Sequence, residues 1–217
     1  MNPKWAEENL QTIRTLMERS ALYRRALAPV MIYVGVVGIL GGVVGWWKQI
    51  DSDRGFVFFW GGAAVLALAG SFFLVRRQAI KDSEPFWSPP TRRVTQALMP
   101  AIFIGAVAGF LTAWPAFRFN GGFRSGGELV QSCDLPMLWI MLYGCALNAA
   151  GFFMVRGIRF LSRLFLICGF ALLCGRCWAG GYLMLQQNHL IMGEVFGGLH
   201  FAYGIYLYLT EKKSPDA

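Results

Sequence analysis

Six blocks of about 20 apolar residues, at roughly 26–47, 55–75, 97–115, 137–155, 164–185 and 190–209, leave this chain few folds to choose from. An α-helix rising 1.5 Å per residue needs about that many residues to cross ~30 Å of hydrocarbon. Inside a bilayer every backbone N–H and C=O must be paired within the element itself, which selects helices or closed barrels. The blocks are unbroken where a barrel strand would alternate apolar with polar, so the expected fold is all-α. It is a polytopic membrane bundle of six transmembrane helices in three successive hairpins, preceded by an N-terminal interfacial helix. The expected division is 1–25 for that helix, 26–211 for the bundle and 212–217 for a short tail. A composition that is 56% hydrophobic and only 15% charged, with mean hydropathy +0.47, agrees with a chain that lives in lipid. The first block is too long for a secretory h-region and has no suitably placed small-x-small cleavage site.

The net charge of +8 invites a nucleic-acid reading, but its placement speaks against one. Fifteen of the 20 Lys and Arg fall on one side of the expected topology. They precede the first block, separate the second from the third, follow the fourth, or end the chain. The positive-inside rule then puts both termini in the cytoplasm, in the inner membrane of a cell, with no nucleic acid as partner and the lipid bilayer as the main one.

Residues 2–25 read as an amphipathic helix. Asn2 is its cap, Pro3 its first position, and Leu10, Ile13 and Met17 lie on one face. It either rests on the inner leaflet or docks a cytoplasmic protein. The second candidate for such a partner is the inner loop 76–93, expected as an extended segment held to the interface by Phe86 and Trp87. A faint internal repeat aligns 26–42 with 97–113, matching Pro29 to Pro100 and Gly38 to Gly109. Both prolines are expected in the first turn of their helices. Small-residue stripes, Gly35, Gly38, Gly41, Gly42 and Gly45 in the first helix and Gly193, Gly197 and Gly204 in the last, predict closely approaching backbones. Trp46, Trp47, Trp87, Trp114 and Trp139 are expected in aromatic belts.

Polar residues at membrane depth are functional candidates because each costs a few kcal/mol there, about 2.5–3.5 for Arg on the insertion scale. Asn148, Arg176, Glu194 and His200 qualify, with Thr112 as a further candidate. If the last two helices are joined only by residues 186–189, Arg176 comes level with His200 and snorkels toward Glu194. That trio either locks the hairpin or carries protons or ions. His189, placed by this reading in the connecting loop, leaves no second axial ligand for haem, and no metal or other cofactor is expected. Cys174 and Cys177 form a C-x-x-C beside Arg176, either small packing residues or a redox pair. Asp51 and Asp53 read as solvated turn formers.

The segments "ENLQTIRTLMERSALYRRALAP", "PFWSPPTRR" and "GGLHFAYGIYLYLTE" together resemble a group of bacterial six-span membrane proteins of uncharacterised function. The resemblance implies a bacterial inner membrane and brings no activity, cofactor or residue roles with it. Of the function classes, a sensor, regulatory or accessory membrane module without a catalytic site leads. A small proton- or ion-coupled transporter using Arg176, Glu194 and His200 comes second, and a membrane thiol oxidoreductase using Cys174 and Cys177 third.

Overall fold

The computed structural model describes residues 27–50, 52–81, 83, 86–87, 89–114, 135–178 and 185–211. The side chains of Pro89, Pro90, Arg156, Arg176, Cys177, Leu185, Gln186 and Glu211 lie outside that description. So do the expected interfacial helix at 2–25, Asp51, most of the outer loop and the tail. The described residues are helical and contain no strand. Helix α1 covers Leu27–Trp47, α2 Asp53–Lys81, α3 Pro89–Ala113, α4 Leu135–Ala150 and α5 Arg156–Trp178. The last helix is continuous but changes pitch. It runs as α6 Leu185–Ile191, a π turn Met192–Gly197 and α7 Gly198–Glu211. Five helices are long and apolar enough to cross a membrane, which fits a multi-pass helical bundle.

Local chemistry sets the ends of these elements. The residues before Leu27, and with them the expected start of α1 ahead of Pro29, lie outside the description. The helix stops in a Schellman arrangement: Gln49 N donates to Trp46 O at 3.2 Å and Ile50 N to Gly45 O at 3.4 Å. Gln49 holds φ 51°, the left-handed position that glycine usually fills. Ser52 then caps α2 by accepting from Gly55 N at 3.1 Å, and Asp53 lies at the positive end of that helix.

Several sequence-based boundaries move. The fourth block, expected as a helix over 137–155, is a 16-residue helix followed by turns at 151–153. At 1.5 Å per residue it is about 24 Å long, short of the hydrocarbon thickness. The turn lets α5 begin at Arg156, eight residues before the expected 164. Pro100 is interior to α3, because Pro89 and Pro90 start that helix. The inner loop is largely helical at both ends, and Phe86 folds back onto α2 with its ring 4.9 Å from that of Phe72. Trp139 is no belt residue: its Nε1 donates to Gly105 O at 2.8 Å inside the bundle.

The bundle is closed by its first and last helices, a pairing that three successive hairpins do not require. A Cβ built on Gly38 would lie 2.7 Å from Gly197 Cα, and one on Gly42 2.6 Å from Gly193 Cα. Gly35 meets the Phe201 backbone and Gly45 meets the His189 ring in the same way. The two glycine stripes read from the sequence therefore face each other, antiparallel, with their backbones in contact. A second close seam joins α4 to α5, where Gly144 meets Leu166 and Gly169 meets Met141.

Candidate functional site

The last helix carries two fully buried histidines, and each is fixed by partners that bond in only one sense. His189 is helical, not in a connecting loop as the polar run 186–189 implied. The Trp60 indole, which only donates, bonds its Nδ1 at 3.1 Å. Nε2 must then carry the proton of a neutral ring, and it donates to Ile50 O at 3.1 Å. That carbonyl is presented by the Schellman end of α1, so a local backbone motif positions a long-range bond. Phe56 and Phe59 close around the imidazole, their ring centroids 4.9 and 5.5 Å away.

His200 holds the opposite tautomer. The Phe196 carbonyl, which only accepts, takes the Nδ1 proton at 2.6 Å. Nε2 of the neutral ring therefore accepts from the Tyr143 hydroxyl at 2.8 Å. Phe165, Phe196 and Tyr143 surround it, with the Phe196 centroid at 4.5 Å. Both histidines thus have both ring nitrogens engaged within the protein.

The other sequence candidates lie elsewhere. Glu194 is exposed on the π turn, and Asn148 is exposed on α4. Helix α5 meets His200 through Phe165. Arg176 is eleven residues further along α5, about 16 Å up its axis, so its backbone is not level with His200. The expected register failed because α6 begins at Leu185, before the residues taken as the link. Cys174 is exposed and Cys168 half-buried, and both are free thiols. Among the described residues no group of three His, Cys, Asp or Glu is placed to hold a metal ion.

A cavity of about 380 Å³ lies between α1, α2, α3, α4 and the last helix. Small residues of α2 (Gly61, Ala64, Ala67) and α3 (Gly105, Ala106) form much of its wall, and Trp60 and Trp139 stand at its side. Its polar groups are few, chiefly Tyr143, His200 and Ser71. Helices α2 and α3 touch at one end, where Arg54 Nε donates to Ala113 O at 2.9 Å and Val57 lies against Gly109. Further along, Leu68 and Ile102 line the cavity yet remain exposed, so its mouth opens between these helices on an apolar flank. The volume is within the ~300–1,000 Å³ of small-molecule sites, and an apolar wall with a few placed polar groups is their usual make-up.

Sequence reasoning missed Tyr143, Trp60, Trp139 and the burial of His189. One signal for His189 was present: it precedes Gly193 and Gly197 at the same spacing of four, and so continues their seam. No protein-family model matches the sequence, and no curated protein and no solved structure matches it either.

Proposed function

We propose that this chain is a non-catalytic membrane module, a sensor or accessory subunit, that takes a lipid-soluble small molecule into the cavity between α1 and α4. The carrying observation is the cavity itself: apolar, bounded by five elements, and open on an apolar flank. In this reading the chain crosses a bacterial inner membrane six times, with α4 as the short sixth span and both ends cytoplasmic. Residues 2–25 are then the surface offered to a cytoplasmic protein. The engaged nitrogens of both histidines favour a module over a carrier, since a proton path through His200 would first break its bond to Tyr143 or Phe196. The exposed position of Cys174 gives the thiol reading no enclosed site.

The test uses the full chain in phosphatidylcholine nanodiscs and a terminally brominated dodecane, which quenches nearby indoles. Trp60 and Trp139 line the cavity, so saturable quenching is expected in the wild type above that of an Ala64→Leu/Ala67→Leu variant whose cavity is filled. Equal quenching in the two proteins would refute the reading.

A further inference from the structure

Resting on the ligand reading above, we infer that the cavity selects a lipid-soluble molecule bearing a hydroxyl group, and that the Tyr143 oxygen is the atom that recognises it. Tyr143 and His200 both line the cavity, and a hydrogen bond of 2.8 Å joins them. The direction of that bond is fixed from behind. Phe196 O takes the proton on His200 Nδ1, which leaves Nε2 as an acceptor and obliges the tyrosine to donate to it. A phenol has one donor and two acceptor lone pairs. With its only proton committed to His200, Tyr143 offers the cavity acceptor capacity alone.

Of the other polar groups on the wall the two indoles supply no donor, and the Ser71 hydroxyl of α2 both donates and accepts. The Trp60 indole N–H is committed to His189 Nδ1 and the Trp139 indole N–H to Gly105 O. Thus the aromatic N–H and O–H groups on the wall all point their protons into the protein. The Ser71 hydroxyl can donate to the oxygen of an alcohol, a ketone or an ether alike, so the difference between them is made at Tyr143, where only a ligand hydroxyl finds a partner. Apolar surface supplies the affinity, and the relay from Phe196 through His200 to Tyr143 supplies the selectivity. The mouth between Leu68 and Ile102 admits the molecule from the surrounding bilayer.

The experiment compares three terminally brominated probes of matched length in the same nanodiscs: a 1-dodecanol, a 2-dodecanone and a dodecyl methyl ether. Quenching by each probe in the Ala64→Leu/Ala67→Leu variant is subtracted, which removes simple partitioning into lipid. One neutral hydrogen bond corresponds to about three- to tenfold in affinity, so the alcohol is expected to bind the wild type tighter than ketone or ether by that factor. In Tyr143→Phe the alcohol is expected to keep its advantage, because the bared His200 Nε2 accepts in place of the phenol. In Tyr143→Phe/His200→Leu the advantage is expected to vanish. If the ketone binds as tightly as the alcohol, or all three bind alike to the wild type, this inference is overturned while the ligand reading stands. If no probe quenches the wild type above the filled variant, the ligand reading itself falls. The same comparison in Ser71→Ala, where the alcohol is expected to keep its advantage and a loss of it would overturn the inference, decides the matter even where the double variant does not fold.

Discussion

Gly42→Ala tests whether the glycine seam between α1 and the last helix holds the bundle together. The added Cβ would lie 2.6 Å from Gly193 Cα, 2.9 Å from His189 O and 3.1 Å from Gly193 N. All three are backbone atoms, so no side chain can rotate away. Restoring an ordinary contact of about 3.4 Å requires the helices to part by roughly 0.8 Å, and over-packing of this kind costs about 1–3 kcal/mol. Helix propensity works the other way, favouring Ala over Gly by about 1 kcal/mol. Gly62 provides the control, because a Cβ there meets nothing within 4 Å, so Gly62→Ala should be neutral or slightly stabilising. The difference between the two variants isolates the crowding and should be about 1–3 kcal/mol, read by steric trapping in bicelles. The Gly38→Ala/Gly42→Ala double variant should cost less than the sum of its singles, because helices already parted for one methyl admit the second. If Gly42→Ala proves as stable as Gly62→Ala, the seam is not a backbone contact and the closure of the bundle described above is wrong.

Three further outcomes follow from the same contacts. Trp60→Phe should cost about 1–3 kcal/mol in the same assay, since it removes the indole that donates to the buried His189 Nδ1; no loss would show that this bond carries no stability. Gln49→Gly should stabilise by about 1 kcal/mol, because the residue sits at φ 51°, where a side chain is disfavoured. Asn188 is fully buried and neither amide atom has a hydrogen-bond partner among the described residues, so Asn188→Leu should stabilise by about 1–3 kcal/mol. A loss there would show that the amide has work to do.

What the sequence made legible was set by how local each signal is. Apolar blocks and glycine spacing are written along the chain, so the helical bundle and the two stripes that hold Gly38, Gly42, Gly193 and Gly197 could be read directly, but not that the stripes face each other. Helix ends were harder where polar residues continue a helix, as at 186–189, or where an apolar run hides a turn, as at 151–155. The first of these errors shifted the register of the last pair of helices by several residues. That shift was enough to set Arg176 beside His200 in place of Phe165. The true partners of the histidines could not be read at all, since Tyr143 and Trp60 come from helices whose rotation depends on the whole bundle. An aromatic in an apolar block carries no mark of what its polar atom will touch.

Small residues take opposite roles in different parts of this molecule, and large ones decide which. Between α1 and the last helix glycines meet glycines, nothing holds the backbones apart, and they close to contact. Along α2 an equally small set, Gly61, Ala64 and Ala67, faces Gly105 and Ala106 of α3 and leaves a space of about 380 Å³. The difference lies at the rim. Trp139 extends from α4 to Gly105 O and stacks on Phe56 of α2 at 5.9 Å, while Trp60 reaches across to His189. Each indole is anchored by a hydrogen bond at its far edge, so neither can fold flat to let the helices approach. Two fixed spacers with small residues between them make a void that the sequence has ample means to fill, with 18 Phe available. Gly61 and Ala64 remain exposed, so the space is an open cleft walled by small residues and held at its inner side by two hydrogen-bonded indoles.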